Sequence, residues 1–205
     1  MKIIEKIQEL KKKAKKRNFT QRYDLIINLR DIDLRKTENR INEFLPLPKG
    51  PGKANSITIF SDTIKDLEGV RIIKSSEIEE LAKDKKKIKK LIKETDFFLA
   101  DPPLMPVIGK HLGKFLAPRG MMPKPIVGDV KKIVEEMKRS VKISLVKQPV
   151  IQTVVGSENM SDEDVEENIR AVLSFLEKRL PKGKAHIKSV YLKLTMSPAV
   201  KLEVS

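Results

Sequence analysis

Gly109-Lys110-His111-Leu112-Gly113-Lys114 gathers glycines, lysines and an imidazole in one short stretch. A phosphate-binding loop uses such residues, wrapping backbone amides around the anion and laying a lysine across it. The spacing does not fit that motif. Three residues separate the glycines where four are required, and Phe115 stands where a Ser or Thr would be needed. Nor does a glycine fingerprint directly follow a strand-like run, which argues against dinucleotide binding. The chain has two histidines, His111 and His186, and no cysteine. Disulfides, thiolate ligands and cysteine nucleophiles are therefore excluded together. The histidines lack metal-ligand spacing, and most carboxylates lie beside lysines, where solvated ion pairs account for them. No catalytic residue, metal or cofactor is expected.

Binding is the better-supported chemistry. The 205 residues carry 43 Lys and Arg against 28 Asp and Glu, a formal net charge of +15. Such a surface attracts polyanions, of which nucleic acid is the commonest. Tryptophan is absent and aromatic residues make up 4% of the chain, so recognition must rest on phosphate contacts and shape more than on base stacking. Lys15, Lys16 and Arg17 run into Asn18-Phe19-Thr20-Gln21 at the mouth of a strand, where polar side chains and a phenyl ring could meet an RNA backbone. Thr195-Met196-Ser197-Pro198 ends the last strand in a comparable way. The lysine run over residues 83–93 reads by itself as a solvated helix face. Two other readings of the chain stand beside RNA binding: an α/β enzyme acting on a phosphorylated substrate, and a basic membrane-surface module. No apolar run approaches the ~20 residues of a bilayer span, and no apolar signal core opens the chain, so a cytosolic protein is expected.

The elements that must position these residues follow from periodicity. Residues 1–17 form a basic amphipathic helix with Ile3, Ile4, Ile7 and Leu10 at helical spacing. Strands are expected over 23–29 and 39–47. Pro48-Lys49-Gly50-Pro51-Gly52-Lys53 cannot hold regular structure and reads as a hinge. Short strands over 57–60, 70–73 and 97–100 then alternate with helices, one capped by Ser76 and one over 83–93. That rhythm implies a parallel sheet covered on both faces. The stretch 104–127 is rich in Gly, Pro, Met and Lys, and no element is assigned to it. A helix over 129–139, strands over 141–146 and 150–155, a helix from Ser161 to Leu180 and a strand over 187–196 complete the chain. Lys147-Gln148-Pro149 reads as a second boundary.

At residues 104–125 a pattern emerges. Leu104-Met105-Pro106, Gly109-Lys110-His111-Leu112-Gly113, Leu116-Ala117-Pro118-Arg119-Gly120 and Met122-Pro123-Lys124-Pro125 together resemble the signature of the first large-subunit ribosomal protein family, the universal L1p family of the mobile stalk. Arg17-Asn18-Phe19-Thr20-Gln21 and Leu45-Pro46-Leu47-Pro48 resemble its amino-terminal motifs in the archaeal style. Leu192-Lys193-Leu194-Thr195-Met196 with Pro198 resembles its carboxy-terminal motif. These motifs occur in the family's order over almost the whole chain.

The resemblance implies a two-domain α/β fold, with a split α+β sandwich domain formed by both termini (residues 1–53 and 148–205). A Rossmann-like three-layer α/β domain (residues 54–147) would be inserted into it. It implies a monomeric, non-enzymatic protein that binds the stalk junction of 23S rRNA. Such a protein also assists release of deacylated tRNA from the exit site and represses translation by binding its own-operon mRNA. On the matching motifs the RNA patch would be Phe19, Thr195 and Met196, bordered by Lys16, Arg17, Asn18, Thr20, Gln21, Lys193 and Ser197. Lys110, Lys114, Arg119 and Lys124 would make secondary contacts. Two positions depart from the pattern: Ser197 and Ala117 stand where the family usually has glycine.

Overall fold

The computed structural model describes residues 3–64 and 66–203. Met1 and Lys2, included in the expected basic helix, lie outside the described residues. The chain forms two compact units, Met1–Ala54 with Arg139–Ser205, and Asn55–Lys138.

In the first unit, helix α1 (Ile3–Lys13) buries Ile3, Ile7 and Leu10, spaced four and three apart, and ends four residues before the expected Arg17. Strand β1 (Arg22–Leu29) alternates: Tyr23, Leu25, Ile27 and Leu29 are buried, and the residues between them are more exposed. Strict period two is what a half-buried strand requires. Strand β2 (Ile41–Pro46) follows.

In the second unit, β3 (Ile57–Phe60) and β4 (Val70–Ile73) lead to helices α2 (Ser75–Lys83) and α3 (Lys85–Glu94). Then come β5 (Phe97–Ala100), α4 (Met105–Leu116), β6 (Lys124–Pro125) and α5 (Val130–Arg139). The sheet is parallel, in the order β4-β3-β5-β6. One face packs Phe60, Phe98 and Ala100 against Ile78, Ile88, Leu91, Ile108 and Leu112 from α2, α3 and α4. The other packs Ile57, Ile59 and Leu99 against Val134 of α5. Both faces are covered, which makes the unit three-layered, and near-continuous apolar strands are the consequence.

The chain then returns to the first unit through β7 (Ser140–Leu145) and β8 (Val150–Ser157), helix α6 (Asp162–Arg179), β9 (Ile187–Leu194) and β10 (Val200–Leu202). An antiparallel four-stranded sheet runs β10-β9-β1-β8, and β2 pairs with β7 in a separate ribbon. Helices α1 and α6 close the core, with Val165, Ile169, Val172 and Leu176 buried at helical spacing. Each such aliphatic side chain contributes about 1.5–3 kcal/mol when fully buried.

The mixed α/β architecture agrees with the expected fold class, and further details differ from expectation. The second boundary falls at Lys138/Arg139 rather than between 147 and 148. The reason is register: β7 pairs with β2 from Ile41↔Leu145 to Pro46↔Ser140, which holds it in the first unit. The stretch 104–127 contains the helix α4. Helix α2 starts at Ser75, where Lys74 stands at the cap position and the Ser75 amide donates to Asp62 Oδ1 at 2.9 Å, so Ser76 is not a cap. The last expected strand stops at Leu194, and a short β10 follows it.

Candidate nucleic-acid interface

The two ends of the chain meet where β1 begins and β9 ends. Tyr23 lies opposite Leu194 in register. One step outward, the Thr195 amide donates to the Arg22 carbonyl at 3.1 Å, and the Arg22 amide donates to Thr195 Oγ1 at 3.1 Å. Ser197 N–H donates to the Leu194 carbonyl at 3.0 Å and closes a four-residue turn. Thr195 and Met196 are its central residues. Met196 is 56% exposed and Phe19 is 50% exposed, so two large apolar side chains stand in solvent at this end of the sheet.

The polar residues here divide into those presented and those committed. Lys16, Arg17, Asn18 and Thr20 are exposed on the irregular segment between α1 and β1. Gln21, expected at the border of the patch, is 2% exposed. Its Nε2 donates to the Lys15 carbonyl at 3.3 Å and to Glu158 Oε2 at 3.4 Å, and its Oε1 accepts from the Met196 amide at 3.2 Å. Gln21 therefore fixes the Lys15 and Met196 segments relative to one another and offers no free polar atom outward. Ser197 is half-buried, and its Oγ accepts from the Leu194 amide at 2.9 Å. Among the described residues only Asp31 is a non-glycine with positive φ. The serine at position 197 therefore needs none of glycine's backbone freedom.

Lys193 lies across from Asp24 in the sheet, and both are half-buried. Burial raises the Asp24 carboxyl above its ordinary value, and the charges of Lys193 and Arg22 oppose that rise. On the same face Ile26 pairs with Tyr191 and Asn28 with Ser189, where Asn28 Nδ2 donates to Ser189 Oγ at 2.9 Å. Asp24, Asn28, Ser189 and Tyr191 lie beside Lys193 on the same face of the sheet and were not singled out from sequence. The alternation of β1 and β9 carries the signal, since their less buried positions share one face.

The second unit holds the other candidates. Lys110 and Lys114 are exposed one turn apart on α4, with Lys114 Nζ 5.1 Å from the Phe115 ring centre. Arg119 is exposed in the turn that follows, and Lys124 is half-buried in β6. The stretch 109–114 lies inside α4, so its amides serve the helix and cannot cradle a phosphate. A Cβ at Gly109 or Gly113 would meet no heavy atom within 4 Å. His111 Nε2 lies 3.9 Å from Glu79 Oε1, while His186 is buried with Nδ1 2.9 Å from the Arg30 carbonyl. Among the described residues, no group of three or more His, Asp or Glu could hold a metal ion, and no helix is long and apolar enough to cross a membrane.

The chain belongs to the Ribosomal protein L1p/L10e family, whose model matches residues 10–198. That family consists of ribosomal proteins rather than enzymes, which removes the phosphorylated-substrate reading. Among curated proteins the chain is similar to the "Large ribosomal subunit protein uL1" of Methanobrevibacter smithii. The two are 42% identical over 207 residues, covering 98% of this chain and 98% of that protein. The proteins of the same name from Pyrococcus abyssi and Methanocaldococcus jannaschii are each 44% identical to it. Those matches cover 98% of this chain and 95% and 94% of the relatives.

Proposed function

We propose that this chain is a component of the large ribosomal subunit in the cytoplasm and binds the stalk junction of 23S rRNA through the split unit. Phe19, Thr195 and Met196 form the centre of the contact. One observation carries the reading: segments about 175 residues apart are tied together so that two apolar side chains stand exposed on a strongly basic chain. Met196 and Phe19 can bury area against ribose and base, and Thr195 Oγ1 can bond a 2′-OH. Lys16, Arg17, Asn18, Thr20 and Lys193 border that centre and supply phosphate contacts and hydrogen bonds. Gln21 and Ser197 hold its shape. Lys110, Lys114, Arg119 and Lys124 make secondary contacts from the inserted unit.

As a monomer outside the ribosome, the same patch binds its own-operon mRNA and represses translation. Feedback requires the ribosomal site to be the tighter of the two. On the ribosome the chain assists release of deacylated tRNA from the exit site. Filter binding to a stalk-junction rRNA fragment tests the patch. Thr195→Ala and Met196→Ala should each weaken specific binding by about tenfold or more, a loss of roughly 1.4 kcal/mol, while Lys87→Ala costs little. Equal losses in all three would mean that the patch lies elsewhere. A parent protein with no preference for the fragment over random RNA would overturn the reading as a whole.

A further inference from the structure

We propose that α3 is a second, sequence-independent docking surface for the phosphate backbone of duplex RNA. The inference rests on the reading of the chain as an RNA-binding protein and assigns to its inserted unit a surface of its own. Helix α3 buries Ile88, Leu91 and Ile92 and exposes Lys85, Lys86, Lys87, Lys89, Lys90 and Lys93. Among the described residues only Lys90 of these six lies within ion-pair reach of a carboxylate, Glu94 at 3.8 Å. Glu94 also faces Arg71 of the edge strand β4 at 3.6 Å, which adds another cation beside the helix.

This arrangement opposes the helix it sits on. Lys85 and Lys89, Lys86 and Lys90, and Lys89 and Lys93 are four apart, the spacing at which like charges destabilise a helix. Lys85 to Lys87 occupy the first turn, where the helix dipole favours acids. The nearby Asp84 carboxylate is engaged as the cap, accepting from the amides of Lys86 at 2.8 Å and Lys87 at 3.2 Å. Helices α1 and α6 follow the favourable pattern. In α1, Glu9 bonds Lys6 and Lys13. In α6, Asp162, Glu163 and Asp164 fill the first turn, Glu166 pairs with Arg170, and Lys178 and Arg179 fill the last turn. A helix that leaves five of its six lysines without an ion pair among the described residues, against its own charge spacing and dipole, is built to meet an external polyanion.

The side chains specify which one. Lys86, Lys89, Lys90 and Lys93 recur at three and four, so they form one stripe about 10 Å long at 1.5 Å per residue. No aromatic side chain interrupts the helix to stack an unpaired base, which favours duplex over single strand. The apolar residues of α3 lie in the unit's core, so the helix has nothing to insert into a bilayer. Lysine without an aromatic or apolar centre is also a poor protein–protein contact.

The test uses the full chain and a 20-base-pair RNA duplex lacking the stalk sequence. Changing Lys86, Lys89, Lys90 and Lys93 together to Gln should weaken duplex binding at least about tenfold at low salt. The slope of log K against log salt should fall by about 2–4. The same four positions changed to Arg should keep both. Gln preserves helix propensity and removes repulsion, so the circular dichroism and melting temperature should hold. Duplex affinity and slope within about twofold of the parent would overturn the inference. So would tighter binding to phosphatidylserine vesicles than to the duplex. If the Gln variant binds the duplex normally while Thr195→Ala still loses the stalk fragment, this inference fails and the patch stands. If Thr195→Ala loses nothing on the stalk fragment, the earlier reading is the one that fails.

Discussion

The side-chain oxygen of Gln21 accepts a hydrogen bond from the Met196 backbone amide at 3.2 Å, across 175 positions of sequence. The same side chain reaches Lys15 and Glu158 from a site that is 2% exposed. Three segments therefore depend on one amide group. Gln21→Leu keeps the volume and removes every one of these bonds, leaving their partners to find water or remain unpaired. It should cost about 1–3 kcal/mol in urea unfolding. The Met196 amide should also exchange with solvent faster, which hydrogen exchange would read directly. Unchanged stability and exchange would show that Gln21 is a spectator.

Asp24 gives a pH dependence whose sign is fixed by its surroundings. Burial raises its folded carboxyl above the ordinary 3.8, so the folded state holds that proton more firmly than the unfolded state does. The ionised group therefore penalises folding at neutral pH, and the penalty fades as pH falls through the raised value toward 3.8. Asp24→Asn should melt higher than the parent at pH 7, with the gap closing in acid. Thermal unfolding at a series of pH values would show it. A lower melting temperature for Asp24→Asn at pH 7 would mean that attraction to Lys193 outweighs burial.

Legibility in the sequence followed how local each cause was. The alternation of β1 and the spacing of Val165, Ile169, Val172 and Leu176 in α6 were readable because one face of each element is buried along its whole length. Helix α4 was not. Its glycines and Pro106 are poor helix formers, and the burial of Ile108, Leu112 and Leu116 at steps of four outweighs them. Pro106 is tolerated because it sits in the first turn, where its missing N–H has no helical partner. The strand expected over 187–196 runs two residues past its end, because the alternation of Val190, Leu192 and Leu194 does not mark where it stops. The turn that ends it depends on the Ser197 bonds to Leu194. The types of residue in the candidate patch were visible through the family resemblance. The burial of Gln21 was not, because whether a glutamine is presented or buried depends on partners distant in sequence.

Asn168 is fully buried on α6 and holds the proline–glycine stretch that sequence alone reads as a hinge. Its Oδ1 accepts from the Lys49 amide at 3.1 Å, and its Nδ2 donates to the carbonyls of Gly50 at 2.8 Å and Val155 at 2.9 Å. Asn168→Ala leaves these backbone groups without their partner and should cost about 3 kcal/mol. Asn168→Asp should be worse at pH 7, since it buries a charge facing two carbonyls, and should recover partly in acid as the carboxyl protonates. Urea unfolding at two pH values separates the cases. Equal, pH-independent losses would mean that only volume matters at this site.

Gly50 and Gly52 lie two residues apart and should respond differently to the same methyl group. Both have positive φ, +68° and +84°, so an alanine at either pays the left-handed penalty of roughly 1–2 kcal/mol. At Gly50 the nearest atom to a new Cβ is 3.8 Å away, in the Arg139 side chain, and the penalty should end there. At Gly52 the new Cβ would stand 2.4 Å from Ser157 Oγ and 2.9 Å from the Ser157 amide nitrogen, distances that force the end of β8 to move. Gly52→Ala should therefore cost at least about 3 kcal/mol, once overpacking of a tight site is added to the backbone term. Ser157→Gly in the same chain should recover only part of it, because the backbone nitrogen and the φ penalty remain. Equal losses at the two glycines in urea unfolding would show that the Ser157 segment yields easily and that close packing is not what requires glycine at position 52.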